Sequence, residues 1–272
     1  MKHSIKSIGF LLVSLLTFGI LTAGCGSQGA DKAQQSIKVG VTAGPHAEVM
    51  EVVKKAAAKD GLNIEIVEFN DYVQPNVALV DGEIAANSFQ HQPYLDNMVK
   101  DRGYDIVSVA KTIIFPMGVY SKKLKSLEEL QPGSIIAIPN DPTNGGRALV
   151  LLEKLGLLKL KDGMGIKATV NDIAENPKNL KIQELEAAQI PRSLEDLDAA
   201  VINTNYAMSA GLVPAKDALA REDNDSPYAN VIAVKSDKKD DPVIQKLIKA
   251  YQSDEVKDFI NEHFQGSAFA AW

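Results

Sequence analysis

One arginine and a small set of rings and amides carry the chemistry this sequence offers. Arg147 closes the run P-N-D-P-T-N-G-G-R (Pro139–Arg147), which lies between Ile135, Ile136 and Ile138 and an apolar stretch from Ala148 to Leu158. The β-branched run reads as a buried strand, and the apolar stretch as a helix closed near Gly156. Asp141, Thr143 or Asn144 could each cap that helix, which puts Arg147 in a first helical turn. Backbone N–H groups there have no carbonyl partner within the helix, and the macrodipole disfavours a cation. The placement becomes favourable when an anion shares the spot, held by the N–H groups and the guanidinium fork. The alternative is a surface arginine snorkelling into solvent.

The elements that must position these groups alternate. Strands are expected at Ile37–Val41, Leu62–Phe69, Ile84–Ala86, Ile106–Ile114, Leu180–Leu185, Ala199–Ile202 and Asn230–Val234. Helices are expected from Gly44-Pro45 to Lys59, at Pro75–Val80, Tyr94–Lys100 and Ile173–Asn179, from Asn203-Thr204-Asn205 to Ala210, and at Pro242–Ala250 and Asp254–His263. Asn87 to Pro93 reads as a break after the Ile84 strand. Such alternation means α/β layers with largely parallel sheets. Pro/Gly breaks near 115–118 and 226–230 enclose one βα block inside another, the layout of two lobes joined by two crossing segments.

Ligands of open α/β sheets bind beyond the carboxyl ends of the strands. Tyr72 follows the strand to Phe69, and Phe89, His91 and Tyr94 follow the strand at Ile84. Asn203 and Asn205 follow Ile202, and Asn230 opens the last strand. Arg147 and the amides suit a carboxylate and an ammonium. Three rings and an imidazole make a slot for a polarisable, unbranched side chain, and ring–sulfur contacts are worth about 0.3–1.5 kcal/mol each. Taken singly, Phe89 and Tyr94 could be core, His91 a helix cap, and Asn203 a turn residue or N-cap. Their common position at strand ends favours a site.

The amino terminus has the layout of a secretory signal: Lys2, His3 and Lys6, an apolar run from Ile8 to Ala23, then Leu21-Thr22-Ala23-Gly24-Cys25. The run is shorter than the roughly 20 residues a spanning helix needs. This end resembles a bacterial lipobox whose cysteine is lipidated and becomes the first mature residue. It departs in having Thr22 three before the cysteine, where a bulky residue usually stands. Residues 1–24 are therefore expected to be a removed signal, and 25–35 a lipid-bearing Cys25 with a flexible tether, the globular part beginning near Ser36. Losing Lys2 and Lys6 takes the 29 basic residues to 27 against 35 acidic, and the formal charge from −6 to −8. An acidic globule without a basic stripe argues against nucleic acid.

Several long motifs together resemble one family. F-Q-H-Q-P-Y-L (Phe89–Leu95), Pro139–Arg147, A-V-I-N-T-N-Y-A (Ala200–Ala207) and S-P-Y-A-N (Ser226–Asn230) are similar to those of the methionine-binding lipoproteins of ATP-driven importers, the NlpA lipoprotein family. Ser121–Leu130 and Glu175–Glu186 match as well, and the likeness runs from Ile37 to Trp272. It implies an α/β fold of the type II periplasmic-binding-protein kind, with lobe 1 at 36–116 plus 229–272, lobe 2 at 117–228, and a ligand cleft between them. By matching positions, Arg147 would clamp the ligand carboxylate, and Asn203 and Asn230 would hold its backbone polar groups. Tyr72, Phe89, His91 and Tyr94 would enclose the thioether. Asn205 falls where relatives often carry Thr and is left out of the set. The implied partners are methionine and the permease and ATPase subunits of an ABC importer. The implied state is a monomer without cofactor or metal, lipid-anchored on the extracytoplasmic face of the cell membrane.

Two other readings compete. One keeps the fold and binds another amino acid or a short methionine-containing peptide. The other is a surface-anchored hydrolase, against which stand the lone Cys25, histidines scattered at 3, 46, 91 and 263, and the absence of G-x-S-x-G and H-E-x-x-H.

Overall fold

The computed structural model describes residues 35–223 and 227–272. The expected signal, Cys25 and nearly all of the tether lie outside the described residues. In the first part of the chain, β1 (Gln35–Thr42) leads to α1 (Pro45–Lys59), β2 (Leu62–Phe69), α2 (Gln74–Asp81), β3 (Ala86–His91), α3 (Gln92–Arg102) and β4 (Ile106–Lys111). A two-residue β5 (Ile113–Ile114) starts the first crossing to the second sheet. That sheet is built from β6 (Gly118–Tyr120), β7 (Ile135–Pro139), α4 (Pro142–Lys154), β8 (Lys159–Leu160), β9 (Ile173–Glu175), β10 (Lys181–Leu185), α5 (Ile190–Ser193), β11 (Ala199–Ile202), α6 (Thr204–Ser209), α7 (Pro214–Asp217) and β12 (Ala220–Arg221). The chain then returns through β13 (Asn230–Lys235) to α8 (Pro242–Tyr251), α9 (Asp254–Phe264) and β14 (Phe269–Ala270), which pairs with β5.

The two main sheets repeat one strand order, β2-β1-β3-β13-β4 and β10-β7-β11-β6-β12. In each, three parallel strands are followed by one antiparallel strand that has just crossed from the other sheet. Each sheet has its own apolar core. Val39, Val41, Met50 and Val53 anchor the first with Leu247 and Ile260. Ile136, Ile138, Leu149, Leu152 and Val201 anchor the second. A third cluster joins Tyr72, Phe89 and Tyr94 of the first lobe to Tyr120, Ile202 and Tyr206 of the second.

Four local expectations are corrected. Residues 87–91 are not a break but the body of β3, fully buried between β1 and β13. Its residues read as a turn, yet the amides of Asn87 and Gln90 are satisfied by each other and by Asn76 of α2: Asn76 and Gln90 exchange amide hydrogen bonds of 2.8 and 2.7 Å, and Asn87 donates to Asn76 and to the Pro75 carbonyl. Ile173–Asn179 is not a helix. Its first three residues form β9, which pairs with β8. The strand expected at Ile106–Ile114 is split at Thr112, whose N–H turns to the Asn230 carbonyl.

The fourth correction concerns the place of Arg147 on α4, which begins at Pro142, six residues before its apolar stretch, with the first of the three candidate caps. Asp141 is the N-cap, its carboxylate accepting the Asn144 N–H at 2.9 Å, and Pro142 opens the first turn. Two glycines hide this start in the sequence. Gly146 is required because a Cβ there would lie 1.9 Å from the Ile166 carbonyl oxygen, where a loop crosses the helix. Arg147 therefore stands in the second turn, and the helix mouth is filled by the chain's own Asp141 rather than by an external anion.

Candidate ligand-binding site

Between the two sheets lies a narrow slot. Tyr72, Phe89, His91, Tyr94, Arg147, Asn203 and Asn230, the seven binding residues expected from the sequence, all line it. Arg147 is 3% exposed, so the snorkelling alternative does not apply. His46, Asn144, Thr204 and Asn205 line it too.

One end is built of rings. Tyr72 lies 5.9 Å from Phe89, 6.0 Å from Tyr94 and 4.8 Å from Tyr206, centroid to centroid. The Tyr94 hydroxyl donates to the Tyr72 carbonyl at 3.0 Å, and the Tyr72 hydroxyl to Asn205 Oδ1 at 2.6 Å. Burial pushes both phenols above the ordinary tyrosine range, so they stay neutral donors.

The polar end is ordered by a chain of hydrogen bonds whose directions follow from Asp141. A carboxylate only accepts, so Asn144 turns its Nδ2 to Asp141 (3.1 and 3.0 Å) and presents Oδ1 to the slot. That oxygen takes Asn203 Nδ2 at 2.8 Å and His91 Nε2 at 3.1 Å. The His91 tautomer is thereby Nε2–H, and its Nδ1 accepts the Tyr94 N–H at 3.1 Å, capping α3. His91 is thus both the helix cap and a wall of the slot. Asn203 sits at the N-cap of α6 but makes no side-chain cap bond. Its amide is spent on Asn144 instead, which leaves Asn203 Oδ1 a buried acceptor with no partner among the described residues.

Asn230 is oriented the same way. Its Nδ2 donates to the Phe89 carbonyl at 3.3 Å and to His46 Nε2 at 2.7 Å. His46 is consequently the Nδ1–H tautomer, donating to Thr42 Oγ1 at 2.7 Å. Burial drives His46 down to about 3. Burial, reinforced by the Arg147 cation, does the same to His91. Both rings are neutral at any physiological pH.

Arg147 bears the charge of the slot. Nε donates to Glu222 Oε1 at 2.8 Å and Nη2 to Glu222 Oε2 at 2.5 Å. Nη2 also reaches the Phe115 carbonyl at 3.0 Å. Tyr228 lies under the guanidinium, 4.2 Å from Cζ to the ring centroid. Among the described residues Nη1 makes no protein hydrogen bond. Asn205 Nδ2 is a second unsatisfied donor, buried beside the rings.

A model of the NlpA lipoprotein family matches residues 37–272. The chain belongs to the NlpA lipoprotein family. It is 54% identical over 266 residues to the D-methionine-binding lipoprotein MetQ of Salmonella typhimurium, covering 97% of both chains. Among solved structures it is similar to a nutrient binding protein from Burkholderia cenocepacia bound to methionine, with 61% identity and a TM-score of 0.85 over 87% of this chain and all of that one. It also resembles an ABC transporter periplasmic substrate-binding protein from Coxiella burnetii, with 51% identity and a TM-score of 0.84 over 86% of this chain and all of that one. The two-lobed α/β architecture of this NlpA chain is accordingly that of periplasmic binding proteins.

Sequence reasoning missed His46, Asn144 as a slot residue, Glu222, and the rings of Tyr206 and Tyr228 that back Tyr72 and Arg147. His46 follows β1, the strand-end position that selected the others, and could have been found that way. Glu222 carries no signal of its own, because its partner is 75 residues away in the chain.

Proposed function

We propose that the protein is a solute receptor that captures methionine, closes its lobes over it and delivers it to the permease and ATPase of an ABC importer. The lobes are taken as 36–116 plus 229–272 and 117–228. Cys25 would carry the lipid that holds this otherwise monomeric protein on the extracytoplasmic face of the membrane. The names of its relatives support the ligand. One observation carries the reading at the level of chemistry: a slot with rings at one end holds, at the other, a guanidinium edge and a buried acceptor without a partner.

A buried zwitterion must have both charges partnered. Arg147 Nη1 would take the carboxylate. Asn203 Oδ1 would accept from the ammonium, joined by Asn230 Oδ1, because Asn230 Nδ2 is already committed. Tyr72, Phe89, Tyr94 and the edge of His91 would enclose the thioether, whose burial is worth about 1.5–3 kcal/mol. Receptor rather than enzyme is favoured by the histidines. His46 faces Thr42 with its N–H, so it cannot take the hydroxyl proton there, and at about 3 it is a weak base.

Mass spectrometry of the compound released on unfolding the purified protein, with calorimetry on the stripped protein, tests this. Methionine recovered unaltered and rebound supports the reading. Another amino acid or a peptide would replace the ligand, and a chemically changed methionine would overturn the receptor role.

A further inference from the structure

Glu222 sits where the two crossing segments meet the binding helix. It belongs to the second crossing, and its backbone N–H bonds the Met117 carbonyl of the first at 2.9 Å. Its carboxylate Oε2 accepts the Met117 N–H, also at 2.9 Å. The same carboxylate grips Arg147 through Nε and Nη2, and the Phe115 carbonyl holds Nη2 from the first crossing. The pair is well shielded, with side chains 4% and 12% exposed.

This arrangement does more than neutralise a cation. A guanidinium is a planar fork with five N–H donors. Fixing the Nε/Nη2 edge on one side fixes where the Nη1 edge points on the other. Glu222 cannot drift with the arginine, because Met117 anchors it independently. The Tyr228 ring then limits rotation out of the plane.

We propose that Glu222 is a positioning residue that aims Arg147 Nη1 at the ligand carboxylate and thereby sets the preference for ligands bearing one. The inference rests on the methionine-receptor reading above. A glutamine at 222 could still accept from Met117 N–H and Arg147 Nη2 through its oxygen, but its amide N–H₂ would confront the Nε–H of Arg147, so the fork would lose one of its two anchors and its charge partner while the fold kept its backbone contact.

The test compares methionine with methioninol, in which a hydroxymethyl group replaces the carboxylate, by calorimetry on stripped wild type and Glu222→Gln. The wild type should bind methionine far more tightly than methioninol. In Glu222→Gln methionine should weaken at least tenfold while methioninol moves less than twofold, so that the ratio collapses. Unchanged methionine binding overturns the proposal, as does an equal weakening of both ligands, which would mark a packing defect. Should Glu222→Gln fail to fold, Glu222→Asp is measured instead. It keeps the charge one methylene short of the fork, and the ratio should narrow by a smaller factor; an unchanged ratio overturns the proposal there too. A wild type that binds neither ligand takes down the underlying reading as well, whereas a wild type with the expected preference and a variant that retains it removes only the role of Glu222.

Discussion

At the first strand-to-helix turn of each sheet the chain meets the same geometric demand with different residues. After β1, Gly44 is the N-cap at φ 81°, has no capping side chain and has no room for one, since a Cβ would lie 2.3 Å from Ser209 Oγ. After β7, Asp141 is the N-cap and its carboxylate orders everything around it. Both helices then start with proline. The first turn delivers His46, neutral and fully engaged with Thr42 and Asn230. The second delivers Asn144 and Arg147, the relay and the charge. With identical strand order in the two sheets, topology decides where a ligand sits, and the turn residues decide which half of it each lobe reads. The first lobe is a neutral, ring-rich wall, and the second a charged, amide-rich one.

The sharpest way to break that division is Arg147→Ala. It removes the partner of the ligand carboxylate and the counter-charge of Glu222 together, a loss of about 3–5 kcal/mol for a buried pair. Methionine affinity should fall by more than a hundredfold by calorimetry, while the residual preference for methionine over alanine survives. Phe89→Ala should do the reverse. Losing ring burial and the sulfur contact costs about 1–2 kcal/mol of binding, so methionine affinity should fall about tenfold while alanine affinity stays within twofold. Because Phe89 is 3% exposed, its truncation also costs stability, and the variant is best measured well below its unfolding midpoint. If both variants lose the methionine–alanine ratio equally, the lobes do not divide the ligand as described.

How much of this was legible in the sequence follows the same line. Two strands were readable to the residue, Leu62–Phe69 from its alternation of apolar and polar side chains and Ala199–Ile202 from an unbroken apolar run that only burial on both faces explains. β3 was not, because its amides are buried against other amides and polarity alone says nothing about partners. The strand-end rule collected eight slot residues without any contact information, and Asn205, set aside on the family likeness, is one of them. It could not foresee that Asn203 forgoes its cap, that Asp141 rather than a ligand fills the mouth of α4, or that Arg147 would be held by a carboxylate from the second crossing. Those depend on pairs distant in sequence, and a sequence pattern carries only local order.

The neutral wall has a pH signature. His46 and His91 titrate near 3 in the folded protein and near 6.5 when unfolded, so between these values the unfolded chain binds more protons. Stability is then full above about pH 6.5 and declines as pH falls towards 3, with a slope approaching about 1.4 kcal/mol per pH unit for each imidazole. Urea unfolding at pH 7, 6, 5 and 4 measures it. His46→Gln should flatten the slope by half. A pH-independent stability across that window would show the rings to be charged or solvated, and the contrast between lobes would be lost.

The smallest effect tests the charged wall at its root. Asp141→Asn keeps an N-cap of equal quality, so helix stability should hold within a few tenths of a kcal/mol. What it removes is the obligation on Asn144. An asparagine at 141 can donate as well as accept, so Asn144 can reverse and turn Nδ2 towards His91 and Asn203. Nε2–H of His91 would then face a donor, opposed by the Tyr94 N–H that holds Nδ1 as an acceptor, and the ring ¹⁵N resonances show whether the tautomer shifts. Methionine affinity should drop only a few-fold, about 1 kcal/mol, because Arg147 and Glu222 are untouched. A shifted tautomer with unchanged affinity would mean that the relay shapes His91 but not the ligand contacts. An unshifted tautomer would mean that the Tyr94 N–H, arriving from the first lobe, fixes the ring by itself, and the second lobe's carboxylate would no longer account for the order of the slot.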